Sequence, residues 1–139
     1  MFRNILVPVD LTDRHGPALD IAGQLASQSG GEVTVLHIIE LIQGATREDE
    51  PKFYDRLEKT AWAHTERLAE QLRSRSVTAR AALTFGRRGP EVLRYAAEHG
   101  CDLIVLLSHP VDYSQPGMGL NTLSYFIGVA ARCPVLLVK

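Results

Sequence analysis

Asp102 to Lys139 read DLIVLLSHPVDYSQPGMGLNTLSYFIGVAARCPVLLVK, and this stretch decides the fold. Leu103 to Leu107 is an unbroken apolar run, the pattern of a strand covered on both faces in a parallel sheet. A loop broken by Pro110, Pro116, Gly117 and Gly119 follows. A helix opens at about Asn121–Thr122, carrying Leu120, Leu123, Ile127 and Ala130 on one side, and a second buried strand runs from Val135 to Val138. Strand, glycine-containing loop and helix start together make a phosphate-binding arrangement, because the free N–H groups and the positive end of the helix dipole face the loop.

The same alternation repeats towards the N-terminus. Asn4 to Val9 (NILVPV) is a first apolar strand, with Asp10 at its C-terminal end. Pro8 fits a central strand only near its end. After a polar turn, Ala18, Leu19, Ile21, Ala22, Leu25 and Ala26 fall at helical spacing, and Gly30 and Gly31 stop that helix. Glu32 to Ile39 (EVTVLHII) is the second strand. Pro51 to about Arg75 is the longest helix, with an apolar stripe of Phe53, Leu57, Ala61, Leu68 and Leu72. Val77 to Phe85 alternates and reads as a third, edge strand with one wetter face. Pro90 stands at the first position of a third helix, Val92, Leu93, Ala96 and Ala97 give its apolar side, and Gly100 ends it.

Strands alternating with helices give a parallel sheet with helices on both faces and right-handed crossovers, an α/β, Rossmann-like architecture. Ligands in such open sheets sit beyond the C-terminal strand ends, where the strand order reverses. Asp10 and Ser108 both lie at that end and become neighbours if the first and fourth strands pair.

Composition bounds the function. The 139 residues read as one domain, 1–139. A net charge of −1 gives no whole-chain attraction for nucleic acid or anionic membrane. No apolar run approaches the roughly 20 residues that span a bilayer. The first strand begins almost at Met1, so no signal peptide is read, and with Cys101 and Cys133 not in a CxxC pair the expectation is a cytoplasmic protein with reduced thiols.

NILVPVD, the helix beginning near Gly16, EVTVLHI, GRRGPEVLRYAAEHGCDLIVL and CPVLLVK together resemble the universal stress protein family over essentially the whole chain. The resemblance implies a five-stranded parallel sheet ordered 3-2-1-4-5 with four helices, of the adenine-nucleotide-hydrolase-like kind. It also implies a dimer in which the last strand, Val135, Leu136, Leu137 and Val138, pairs with its mate across a two-fold axis. ATP-binding members carry Gly-x-x-Gly after the fourth strand and, at the start of the last helix, Gly followed by Ser or Thr. Here the first motif falls on Leu107, Ser108, His109 and Pro110, and the second on Asn121 and Thr122. Both glycines of the first motif are missing, and the loop glycines, Gly117 and Gly119, are displaced towards the helix. Leu107 puts a large side chain where the backbone should be open, and Pro110 removes a donor. Asn121 is a good N-cap, and Thr122 keeps the hydroxyl.

Carried over residue by residue, the resemblance makes Pro8, Asp10, Ile38, Ser108, His109, Gly117, Gly119, Asn121 and Thr122 the candidate nucleotide site. Asp10 would receive the adenine or ribose side, Ile38 and Ile39 would wall the base, and Ser108 and Thr122 would meet phosphate oxygens. Each has a plainer reading beside it: a loop-bonding Asp, core isoleucines, local hydroxyl bonds and an exposed loop histidine. Arg87 and Arg88 form either a small anion site or a solvated turn. The cofactor expected is ATP or AMP, with Mg²⁺ accompanying ATP, or none. Three functions stay open: a small stress-related regulatory protein that binds an adenine nucleotide with at most slow hydrolysis, a non-nucleotide dimeric interaction protein of the same fold, and an enzyme or phosphoacceptor. The third is the weakest. The third strand ends Leu83-Thr84-Phe85-Gly86 without an acceptor Asp, and Ser108, His109 and Asp112 lie side by side on one loop without a relay geometry.

Overall fold

The computed structural model describes residues 1–41, 51–108, 114 and 122–139. The elements are β1 (Asn4–Val9), α1 (Gly16–Ser29), β2 (Glu32–Ile39), α2 (Pro51–Arg73), β3 (Thr78–Phe85), α3 (Arg88–Glu98), β4 (Leu103–Leu107), α4 (Leu123–Ala130) and β5 (Val135–Val138). The five strands form one parallel sheet in the order β3-β2-β1-β4-β5. Among the described residues no helix is long and apolar enough to cross a membrane.

The alternation of strand side chains divides the core in two. Ile5, Val7 and Val9 face one way and pack under Ala18, Leu19, Ala22 and Ala26 of α1 and Ala69 and Leu72 of α2. Leu6, Leu36, Ile38, Ile104 and Leu106 face the other way, under Val92, Tyr95 and Ala96 of α3 and Ile127 of α4. Truncating a fully buried side chain such as Leu6 in such a core costs ~2–5 kcal/mol.

Register at the head of the sheet is set by Asp102. Its carboxylate accepts the Arg3 N–H at 2.9 Å and the Asn4 N–H at 3.0 Å, while its own N–H donates to the Asn4 carbonyl at 2.9 Å. That clamp gives the acidic residue before β4 a structural role, because it locks the start of β1 to the start of β4.

The two ladders of β1 are unequal. Against β2 it pairs along its whole length, from Asn4 with Glu32 to Val9 with His37. Against β4 it pairs only at Ile5 with Leu103 and Leu6 with Ile104. Asn4 turns its N–H and C=O towards β4, and with a period of two Leu6 and Pro8 face the same strand. Pro8 has no N–H to give there. The ladder therefore ends where the proline removes its donor, and beyond it the two strands line opposite walls of a cleft. Pro8 does lie near the end of its strand, as its chemistry requires.

Three expectations are corrected. The third helix starts at Arg88, not Pro90, with Arg87 as an extended N-cap, so Pro90 occupies its third position, still inside the turn that needs no intrahelical donor. Thr122 is the N-cap of α4, its Oγ1 accepting the Tyr125 N–H at 3.3 Å. In α2 the buried face is Tyr54, Ala61, His64, Thr65, Ala69 and Leu72, while Phe53 is exposed and stands edge-on against Tyr54. Small residues at four-residue spacing let the helix sit close to the sheet, and the Thr65 hydroxyl is satisfied by the Ala61 carbonyl at 2.7 Å. Of the expected stripe, Ala61 and Leu72 are buried and Leu57 and Leu68 pack against the core, so only Phe53 falls outside it.

Gly31 opens β2 with no room for a side chain: a Cβ there would stand 2.6 Å from Cα and O of Arg3. Gly31→Ala is expected to lower stability by ~1–3 kcal/mol in urea titration, since backbone rather than a flexible side chain must yield. Gly16→Ala, whose Cβ would meet nothing within 4 Å, serves as the control and should be close to neutral.

Candidate functional site

The cleft opened by the parting of β1 and β4 lies at the C-terminal ends of the strands. Pro8, Val9 and Asp10 line one side, and Leu106, Leu107 and Ser108 the other. Leu36 and Ile38 of β2, Val92 of α3 and Leu123 of α4 supply apolar walls, and Arg14, His15 and Arg88 reach in from the loops and α3. The cleft holds about 520 Å³ of empty space with its open mouth included, but only about 40 Å³ admits the centre of a water molecule. It is narrow as it stands.

Asp10 is the most heavily engaged group in it. One oxygen, Oδ1, accepts the Thr12 N–H at 2.9 Å and the Thr12 hydroxyl at 2.5 Å. The other, Oδ2, accepts from Arg14 at 2.7 Å. His15 Nε2 lies 2.8 Å from Oδ1. The Asp10 N–H also lies 3.1 Å from the same Nε2, so Nε2 donates to the carboxylate in one tautomer and accepts that N–H in the other, and His15 Nδ1 is buried without a partner among the described residues. Partial burial disfavours the Asp10 anion, but the bonds from Thr12, His15 and Arg14 outweigh that effect and hold its carboxyl well below the usual carboxylate range. Burial also pushes the half-buried His37 ring downwards, against the opposing effect of its hydrogen bond to the Val9 carbonyl at 3.1 Å.

Three basic side chains gather at the mouth, two of them beside carboxylates. Arg14 pairs with Asp10, and Arg88 stands 3.8 Å from Glu40. Lys139 Nζ donates to Ser108 Oγ at 3.2 Å. No group of three or more His, Cys, Asp or Glu side chains among the described residues could hold a metal ion.

The sequence profile of the Universal stress protein family matches residues 1–139. This chain belongs to that family. A relative is the Universal stress protein YxiE of Bacillus subtilis (strain 168), 27% identical over 149 residues that cover all of both chains. Among solved structures, the chain is similar to a universal stress protein in complex with cAMP, with a TM-score of 0.76, 20% identity and coverage of 99% of this chain and 97% of that one. It is also similar to the universal stress protein from Archaeoglobus fulgidus in complex with dAMP, with a TM-score of 0.69, 20% identity and full coverage of both chains.

In this universal stress protein, Pro8, Asp10, Ile38 and Ser108 line one cleft; of these, Asp10 and Ser108 are the two that the sequence placed together at the switch point. Leu107 lines the wall, where the family's motif would have left the backbone bare. Thr122 stands outside, in an adjoining cleft with Arg87, Arg88 and Phe126, and its hydroxyl caps α4. His109, Gly117, Gly119 and Asn121 lie outside the described residues. Arg14 and His15 were not singled out in the sequence. Their signal was available as an Asp at a strand end followed within five residues by Thr12, Arg14 and His15, all able to donate to it. Cys101 and Cys133 both line a groove between α3 and α4 in another part of the molecule. They are free thiols, and burial with the neighbouring Cys133 pushes the Cys101 thiol up to about 11, a poor nucleophile at neutral pH.

The Asp10 network sets a pH dependence. A carboxyl held below its ordinary 3.8 contributes stability that is present above that value and lost as pH falls through the folded-state value. Wild type should be more stable than Asp10→Asn at neutral pH, and the gap should narrow as the pH drops below about 4. Urea titrations of both proteins across that range check it, and a pH-independent gap would contradict it.

Proposed function

We propose that this universal stress protein is a small regulatory protein that binds an adenine nucleotide in the cleft between β1 and β4. The observation that carries the reading is the meeting of apolar walls, for a base, with Arg14, Arg88, Ser108 and the Lys139 amine at one switch-point mouth. A base needs a flat apolar slot with few polar groups, and Leu36, Ile38, Val92 and Leu106 provide it. The phosphate needs charge, and guanidinium groups supply it where Leu107 has replaced a glycine cradle. The complexes of relatives with cAMP and dAMP support a monophosphate as the ligand. AMP is therefore the first ligand to try and ATP the second, with Mg²⁺ carried in by the triphosphate rather than held by a protein cage. Asp10 acts as a positioning residue for the β1–α1 loop, because its oxygens are already engaged by that loop. No step of hydrolysis is assigned to the site, and the proposal places the protein in the cytoplasm.

We also propose that the protein is a homodimer through Val135, Leu136, Leu137 and Val138. β5 is an edge strand, and Leu136 is exposed on it with Tyr125 and Val129 on α4 nearby in sequence. An uncovered apolar edge favours pairing with a second copy.

A second reading has its own observation. Only about 40 Å³ of the cleft admits a water centre, and lining side chains must shift for a purine to enter. If they do not shift, the protein is a non-nucleotide dimeric interaction protein of the same fold.

Calorimetric titration of nucleotide-free protein with AMP, ADP and ATP, with and without Mg²⁺, separates the two. The first reading predicts saturable one-site binding that Arg88→Gln weakens roughly tenfold, the loss of one charged hydrogen bond of about 1.5 kcal/mol. No heat and no displacement with any nucleotide contradicts it and favours the second. Sedimentation should show a dimer that Leu136→Lys splits, and a clean monomer for wild type contradicts the assembly.

A further inference from the structure

The nucleotide cleft does not stand alone. A second cleft abuts it, lined by Glu40, Arg87, Gly89, Thr122 and Phe126, and Arg88 and Leu123 line both. The second is the roomier, with about 310 Å³ open to a water centre against about 40 Å³ in the first.

Its chemistry differs from that of an ordinary solvated turn. Arg87 has no carboxylate partner among the described residues, and Arg88 has only Glu40, at 3.8 Å. Beside them Phe126 is 41% exposed. The ring lies directly over Gly89, where a Cβ would stand 2.6 Å from its Cδ1 and 2.7 Å from its Cε1. Gly89 therefore fixes the position of the ring by leaving it a bare backbone to rest on. The Cδ1–Cε1 side of the ring rests on the protein while much of the side chain stays open.

We propose that the second cleft is a subsite for a second base, so that the ligand class of this protein is a dinucleotide: two nucleosides joined through phosphate, one base in the β1–β4 cleft and the other stacked on Phe126. The proposal rests on the nucleotide reading above. Arg88, common to both clefts, meets the bridging phosphate, and Arg87 adds charge on the outer side. An aromatic ring beside guanidinium groups is the combination that holds a base and its backbone together, because stacking accepts any base face and the cations follow the phosphates. A triphosphate tail would use the two arginines but would gain nothing from the ring.

The test compares AMP with the linear dinucleoside monophosphate ApA on the full chain by calorimetry. ApA carries less negative charge than AMP, so electrostatics alone predicts that it binds more weakly. The proposal predicts that it binds about tenfold more tightly, the scale of one base stacked on an aromatic side chain. Phe126→Leu, which keeps apolar packing over Gly89, should remove that excess, and Phe126→Tyr should retain it. ApA binding no tighter than AMP overturns the proposal while leaving the AMP reading intact. So does a Phe126→Leu variant that weakens AMP and ApA equally, since the ring would then only support the first cleft. If neither ligand binds, the nucleotide reading fails and this inference fails with it.

Discussion

One missing hydrogen-bond donor shapes this molecule. β1 is flanked by parallel partners on both sides, and its ladder to β2 runs full length while its ladder to β4 stops after Leu6. Pro8 is the next residue that would face β4, and it has no N–H. Asp102 holds the two strands together at their start by accepting the Arg3 and Asn4 N–H groups, so they meet at one end and part at the other. The cleft occupies the space where they part, and its walls are the side chains that follow on each strand. A strand order that reverses at β1 would leave a crevice there in any case; the proline lengthens it into the sheet.

The contents of the crevice follow from the loops that leave it. The β1–α1 loop folds back on Asp10, which collects bonds from Thr12, Arg14 and His15. This network keeps the carboxylate ionised and spends most of its acceptor capacity inside the loop. Asp10 thus shapes the site by fixing where Arg14 and His15 stand. On the opposite wall, Leu107 fills space that a glycine would have left open, and the charge at the mouth comes from side chains: Arg14, Arg88 and Lys139. Positive charge at this mouth is thus carried by long side chains rather than by backbone N–H groups, and such side chains reach further and cost more conformational entropy to order.

Much of the fold was legible from local pattern. The strand bounds of NILVPV, EVTVLHII, LIVLL and VLLV match the observed β1, β2, β4 and β5, because unbroken apolar runs bounded by turn residues leave little freedom. Helix faces were less legible. Phe53 looked like core, and Tyr54 proved to be the buried residue, since Ala61, Thr65 and Ala69 allow close approach without advertising it by size. Helix starts shifted by one or two positions because capping at Arg87 and Thr122 depends on φ and ψ that composition only biases. The site was half legible. Pro8, Asp10, Ile38 and Ser108 do converge, as strand-end positions must when their strands are neighbours. Arg88 and Phe126 come from helices whose relation to the cleft is set by tertiary packing, and no local pattern carries that information.

The central claim is that the parted ends of β1 and β4 form a ligand cleft. Amide chemical shifts of the ¹⁵N-labelled protein during titration with AMP test it most directly. The account predicts saturable changes gathered at Val9 to His15, Leu106 to Ser108 and Thr122 to Leu123, with Gly100, Cys101 and Cys133 beyond the opposite ends of the strands unmoved. An unchanged spectrum at high AMP, or changes centred on the groove beside Cys101 and Cys133, would contradict it.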